Sequence, residues 1–234
     1  MVQTRDYVIS RAFGRLRMRA AFPRFKAQAE HIRDIDEALE FVFSFREWGI
    51  SISPFQNRKE IGMLTHKVAE ISPSHVAEIG TGWGGTLFLL CTASSPTATL
   101  ASIDLPPSTL GRGYPRWKEP LYKSFARNQQ KVTLIRGNSH DAKTVASLRG
   151  AMEGNKLDAI FIDGDHSYEG VKTDFRLYSP CVRAGGIIAL HDIVPNISNE
   201  EVEVFKFWKE IKHSYKSEEF VFEHDKLGIG VIRV

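Results

Sequence analysis

Three stretches of the chain carry side chains whose types and spacing could do chemistry. Leu157 to Ile162 is an uninterrupted apolar run that delivers Asp163, Asp165 and His166 at its end. Carboxylates and an imidazole in that order can take up, hold and pass on protons near neutral pH. A second run, Gly185-Gly186-Ile187-Ile188-Ala189-Leu190, ends the same way, in His191 and Asp192. The third stretch passes from Val76-Ala77-Glu78-Ile79 through Gly80-Thr81-Gly82-Trp83-Gly84-Gly85 to Thr86. Glycines in such a turn let the backbone approach a ligand closely, and the helix that follows offers unpaired N–H groups. The spacing of Gly80, Gly82 and Gly85 fits a dinucleotide fingerprint, and Asp104, after the next apolar run, falls where an acid would hold a ribose. By itself this turn does not name the cofactor.

Apolar runs of this kind read as central parallel strands, beyond whose carboxyl ends ligands bind in open α/β sheets. The remaining signals supply the sheet that would align them. Helical periodicity at 57–71 precedes a strand at 76–79; a helix at 86–92 precedes a strand at 99–104. The rhythm breaks at 105–120, where Pro106, Pro107, Gly111, Gly113, Pro115 and Pro120 predict a loop long enough to be a functional lid. A helix at 122–130, a strand at 132–136, a helix at 143–148 and the strand at 158–162 follow. Helices at 169–177 and 201–215 flank a strand at 187–190. Strands at 220–222 and 229–234, joined by His224-Asp225-Lys226-Leu227-Gly228, read as a terminal hairpin. The predicted architecture is α/β: a doubly wound, mostly parallel seven-stranded sheet with a C-terminal antiparallel hairpin and an N-terminal helical extension. Residues 1–54 form the arm and 55–234 the ligand-binding domain.

The three segments together resemble the class I S-adenosylmethionine-dependent methyltransferases, in the branch that carries IDGDHSYEGV followed by GGxIALHD. The resemblance covers roughly residues 55–234, a usual domain length. It implies that Glu78 meets the methionine ammonium end of the cofactor, that the Gly80–Gly85 turn with Thr81 and Thr86 lines it, and that Asp104 accepts both ribose hydroxyls. Asn138, Ser139, His140 and Asp141 fall where the family contacts adenine; capping of the next helix by Ser139 or Asp141 is the alternative. By position, catechol-type O-methyltransferases imply a divalent metal, Mg²⁺ or Mn²⁺, on Asp163, His191 and Asp192. Such an ion lowers the pKa of a bound hydroxyl. His191 stands where an acid is usual, which moves the expectation toward Mn²⁺ or Zn²⁺ or takes His191 out of the ligand set. The alternative is a metal-free polar cluster tying two strand ends together.

His166 occupies the place of the catechol-type lysine base, with His191 as its rival, and Asp165 would orient it. Ser167 would cap the helix opened by Glu169, and Tyr168 and Trp117 could line the acceptor pocket. The implied activity is O-methyl transfer to a small-molecule hydroxyl, a saccharide or natural-product type first. A nicotinamide oxidoreductase would share the glycine turn and Asp104 but leave the 163–166 cluster and the hairpin unexplained. A noncatalytic cofactor-binding scaffold would make that cluster redundant.

Composition narrows the partners. The chain has 234 residues, 42% of them hydrophobic, enough for a sizeable core, and no apolar run long enough to span a membrane. Two cysteines, Cys91 and Cys181, without a secretory signal predict a reduced, cytoplasmic setting. A net charge of +3 without a recognition motif speaks against nucleic acid. Charge is nevertheless uneven: Arg5, Arg11, Arg15, Arg17, Arg19, Arg24 and Lys26 face only Asp6. Val8, Ile9, Ala12, Phe13 and Leu16 recur at helical spacing, so the arm reads as an amphipathic helix as far as Pro23. A second helix at 27–45 carries Ile32, Ile35, Leu39, Val42 and Phe43. These helices are expected to cap the domain or to join it to a second copy as a homo-oligomer; a membrane-surface or targeting role is the alternative.

Overall fold

In the computed structural model, residues 2–107, 113–195, 201–222 and 227–234 are described, with side chains from residue 13 onward. Elements follow in the order α1 (Val2–Ala29), α2 (Ile35–Ser44), the short strands β1 (Arg46–Glu47) and β2 (Ile50–Ser51), α3 (Arg58–Ala69), β3 (His75–Ile79), α4 (Gly85–Ala93), β4 (Thr99–Asp104), α5 (Glu119–Lys123), β5 (Lys131–Arg136), α6 (Ala142–Ala151), β6 (Leu157–Ile162), α7 (Tyr168–Tyr178), β7 (Val182–His191), α8 (Val204–Ile211), β8 (Lys216–Phe220) and β9 (Ile229–Arg233). The main sheet has seven strands in the order β5-β4-β3-β6-β7-β9-β8. All pairs from β5 to β7 are parallel, whereas β9 runs antiparallel between β7 and β8. The predicted doubly wound sheet with its C-terminal hairpin is thus present; residues 224–226 of the hairpin loop lie outside the described residues.

The central strands send alternate side chains into two cores, which is why they read as continuous apolar runs rather than as polar-apolar alternation. Ala159 and Phe161 of β6 and Ile187 and Ala189 of β7 join the core under α1 to α5. Ile160, Ile162, Ile188 and Leu190 join the core under α6, α7 and α8. Ile79 of β3 pairs with Ile103 of β4 and Ile162 of β6, and Ile162 pairs with Leu190 of β7. The next residue on each strand, Gly80, Asp104, Asp163 and His191, therefore stands on one level at the carboxyl edge.

Several boundaries differ from the periodicity. The first helix does not end at Pro23 but contains it and runs to Ala29. Proline removes one N–H from the ladder, while Met18, Ala21 and Phe25, buried on either side of it, hold the helix to the domain. Phe25 packs on Phe41, Phe45, Phe88 and Phe125 with ring centroids 5.3–6.0 Å apart. The second helix begins only after Asp34, whose carboxylate accepts the Glu37 N–H at 2.8 Å as an N-cap. The helix expected at 122–130 lies at Glu119–Lys123, with Pro120 in its first turn, and the one expected at 201–215 is trimmed to Val204–Ile211. The hairpin strand expected at 220–222 is Lys216–Phe220.

Among the described residues, no helix is long and apolar enough to cross a membrane. Both cysteines are free and buried.

Candidate active site

A cavity of about 610 Å³ opens along the carboxyl edge, walled by the glycine turn, Asp104, residues 137–140 and residues 163–166, with His191 at one end. Its narrowest structural requirement is at Gly80, whose φ is +98°; a Cβ there would lie 2.0 Å from the Asp163 carbonyl oxygen. Only glycine lets β3 and β6 come this close at their exits. Gly85 is needed for a different reason, because a Cβ would sit 2.2 Å from the Ile52 carbonyl oxygen.

At the glycine-turn end the side chains are acidic and hydroxylic. Asp104 accepts the Gly82 N–H at 3.1 Å and the Leu105 N–H at 2.7 Å. Burial pushes its carboxyl above the ordinary range, and those N–H groups oppose the shift. Glu78 lies one layer below the cavity wall, wholly buried. Its Oε1 accepts the Ser102 hydroxyl at 2.6 Å, and Ser102 in turn meets the Thr81 hydroxyl at 2.5 Å. Its other oxygen, Oε2, has no hydrogen-bond partner. Burial, reinforced by the charges of Asp104 and Asp163, pushes this carboxyl up to about 8, against the Ser102 hydroxyl.

At the opposite end the acids meet imidazoles. His191 Nδ1 donates to Asp163 Oδ1 at 3.0 Å, and His166 Nδ1 donates to Asp192 Oδ2 at 2.5 Å. Asp192 sits at φ +61°, which turns the chain sharply off β7. Burial works against a charge on His191, yet Asp163 and Asp192 outweigh it and hold the imidazole up to about 10. Asp192, despite its burial, is held well below the carboxylate range by His166 and His191. The bond to Asp192 is the main cause that raises His166 above its ordinary value, against its burial. Ligand atoms of Asp163, His191 and Asp192 all lie within 4.8 Å of one another.

The residues expected to bind and react are mostly brought together. Gly80, Thr81, Gly82, Gly85, Thr86, Asp104, Ser139, Asp163, His166 and His191 line one cavity; Glu78 stands behind the turn, and Asp192 behind His166. Ser167 caps α7 by accepting the Gly170 N–H at 3.0 Å. Neither Ser139 nor Asp141 caps α6 through its side chain: Asp141 has the N-cap position without the bond, and Ser139 offers its carbonyl to the Tyr178 hydroxyl. Three expectations are corrected. Asp165 does not orient His166; Asp192 does, while Asp165 accepts the Ser167 N–H. Trp117 packs against Gly14 of α1, and the Tyr168 hydroxyl donates to Glu210, so neither is on the cavity wall. The aromatic rings at the mouth are Phe55 and Trp83, 4.9 Å apart.

Gln56 went unnoticed in the sequence. Nearly buried, it donates from Nε2 to Asp163 Oδ2 at 2.5 Å and accepts the Thr86 hydroxyl at 3.1 Å, so one amide links the two ends of the cavity. The expected lid at 105–120 reaches the cavity through Leu105 and Gly113, which touch each other; residues 108–112 lie outside the described residues.

Known proteins resemble this chain in sequence and in fold. The uncharacterized protein y4gI of Sinorhizobium fredii is 26% identical over 169 residues, 70% of this chain but only 18% of y4gI. Two solved structures share the fold. An O-methyltransferase from Bacillus cereus, in complex with S-adenosylhomocysteine, has a TM-score of 0.56 at 16% identity, over 92% of this chain and 98% of its own. MycE, a methyltransferase of the mycinamycin biosynthetic pathway in complex with Mg, S-adenosylhomocysteine and mycinamycin VI, has a TM-score of 0.53 at 17% identity, over 87% of this chain and 55% of its own. The family model described as a methyltransferase domain matches residues 77–193, from the strand before the glycine turn to the residue after Asp192. The chain belongs to that family of methyltransferase domains.

Proposed function

We propose that the protein transfers the methyl group of S-adenosylmethionine to a hydroxyl of a small molecule of saccharide or natural-product type, with a divalent cation, Mg²⁺ or Mn²⁺, assisting. The observation that carries this reading is the placement of His166, Asp163 and His191 on the same cavity as the glycine turn and Asp104, with Asp192 directly behind them. The donor set suits a cation: two carboxylates and an imidazole offer ligand atoms within 4.8 Å of one another, with His191 Nδ1 facing both acids. MycE, of like fold, binds Mg beside S-adenosylhomocysteine.

The bound cofactor supplies an electrophilic methyl on its sulfonium, and a cation on Asp163, His191 and Asp192 would favour the alkoxide form of the acceptor hydroxyl. The chain's own groups do the rest. Asp104 and the turn N–H groups hold and orient the donor. His166, fixed at Nδ1 by Asp192, keeps Nε2 for the proton of the acceptor hydroxyl; its side chain is 41% exposed, against 5% for His191. Gln56 and His191 each bind one oxygen of Asp163 and so fix its orientation. Cation uptake requires His191 to surrender its proton, which makes it more favourable as pH rises.

The test is methyl transfer from labelled S-adenosylmethionine to a panel of sugar and phenolic hydroxyls, with chelator, Mg²⁺ or Mn²⁺. Chelation should abolish transfer and either ion restore it; full turnover by metal-free protein would overturn the cation's role, and methylation confined to amines or thiols would overturn the acceptor class.

A further inference from the structure

Helix α1 carries apolar residues on two opposite faces. Gly14, Met18, Ala21 and Phe25 are buried against the domain. Phe13, Leu16, Ala20, Pro23 and Ala27 recur at intervals of three and four along the opposite side, which places them on one outward stripe. Phe13 is 56% and Leu16 64% exposed. Of the stripe that marks the arm as amphipathic in sequence, Phe13 and Leu16 thus face away from the domain.

Cations border this stripe on both sides. Helical spacing puts Arg15, Arg19 and Lys26 along one flank and Arg17 and Arg24 along the other, and the sequence has no acidic residue from Tyr7 to Ala29. The β1–β2 hairpin adds to the second flank. Its tip, Trp48-Gly49, has φ of +53° and +72°, the left-handed pair of a tight hairpin turn. Trp48 is 59% exposed. A Cβ on Gly49 would lie 3.4 Å from the Arg17 guanidinium, which itself stacks 4.9 Å over the Phe13 ring. Phe13, Arg17 and the Trp48 tip therefore form one continuous surface, and Arg24 ties the hairpin down through Glu47 at 3.0 Å.

We propose that this face docks on an anionic lipid surface. Apolar and aromatic side chains enter the interface between headgroups and acyl chains while the flanking guanidinium groups meet lipid phosphates, the arrangement of helices that lie in a membrane plane. Charge chooses this occupant over a second copy, since two such faces in contact would oppose the α1 cations to one another, and the carboxylate of Glu47 beside them is already paired with Arg24.

Vesicle flotation of the full chain tests the proposal. Protein should float with phosphatidylcholine vesicles containing phosphatidylglycerol, stay unbound with phosphatidylcholine alone, and be released by high salt. Arg15→Glu with Arg19→Glu and Lys26→Glu should lower partitioning at least about 100-fold. Phe13→Ser with Leu16→Ser and Trp48→Ser should lower it about 10- to 100-fold. Both variants alter exposed positions, and unchanged S-adenosylhomocysteine affinity would certify their folding. No flotation, equal binding to neutral and anionic vesicles, or variants that float like the parent would overturn it. So would a sedimentation-defined dimer of the parent that Phe13→Ser with Leu16→Ser dissociates, because the stripe would then be a contact between copies.

Discussion

The two ends of the cavity handle buried acids in opposite ways. At the β6–β7 end, Asp163 and Asp192 are matched by His166 and His191, and the group balances its own charge. At the β3–β4 end, Glu78 and Asp104 have hydroxyls and backbone N–H groups but no cationic partner within hydrogen-bonding distance, and Glu78 keeps one oxygen unpaired. Glu78, buried and without a counter-charge, is held neutral and costs stability once it ionises, whereas Arg136 and backbone N–H groups offset part of the burial of Asp104. The difference suggests a task for each end: a ligand at the β3–β4 end should bring positive charge, and on the proposed reading the β6–β7 end gives up a proton to admit a cation.

The largest expected effect falls on the balanced end. His166→Ala should lower kcat by about 10²- to 10⁴-fold, the usual contribution of a general base, with S-adenosylhomocysteine affinity unchanged. Steady-state rates beside calorimetry check this, and a kcat within a factor of two of the parent would hand the proton to another group. At the uncompensated end, the Glu78 carboxyl has an ordinary value of 4.5 and a folded value of about 8. As pH rises past 4.5 the unfolded chain gains from ionisation while the folded chain does not, so this residue's contribution is full below 4.5, declines across the window and levels above about 8. Glu78→Gln should flatten that decline by on the order of 4 kcal/mol, read from denaturant unfolding at acidic and mildly alkaline pH. Parallel stability profiles would show that the carboxyl is compensated after all. The same substitution should abolish proton release on cofactor binding, measured by calorimetry in buffers of different ionisation enthalpy.

Asp104→Ala should weaken S-adenosylhomocysteine about tenfold or more, equivalent to about 1.5–3 kcal/mol for lost charge-assisted hydrogen bonds. Unaltered calorimetric affinity in the folded variant would remove Asp104 from the ribose. The smallest effect is expected at the link between the ends: Gln56→Ala should cost about 1 kcal/mol of stability and lower turnover more than cofactor affinity, since of the two bonds it loses the one to Asp163 is the shorter and the one from Thr86 the longer. A loss confined to cofactor binding would place Gln56 wholly at the donor end.

What the sequence revealed and what it hid divide along the same physical line. Gly80, Asp104, Asp163 and His191 were legible because each follows directly on an apolar strand, and parallel registration brings strand exits to one level without further information. The loop bearing Gln56 gives no such signal: its residue reaches Asp163 across 107 positions of chain, through a contact set by tertiary packing. The partner of His166 was misjudged for a related reason. Asp165 is near in sequence but its carboxylate turns back to its own helix start, while Asp192 arrives from the neighbouring strand. On α1, helical spacing identified Phe13 and Leu16 as a stripe but could not say which of two apolar faces meets the core. Packing decided for the face with Gly14, where the indole of Trp117 fills the space a side chain would need.

The contact between Gly80 and the Asp163 carbonyl has a consequence for how such a fold can diversify. It sets the spacing between the glycine turn and the Asp163–His166 segment through main chain alone, so on the proposed reading the distance from donor to acceptor is written into the scaffold and not into any side chain that lines the cavity. Acceptor preference can then drift through changes at Phe55, Trp83 or the residues that follow β6 and β7 without resetting that distance. A single methyl added at position 80 would force the β3 and β6 exits apart, so every polar group of the cavity would be retained but the spacing between them lost.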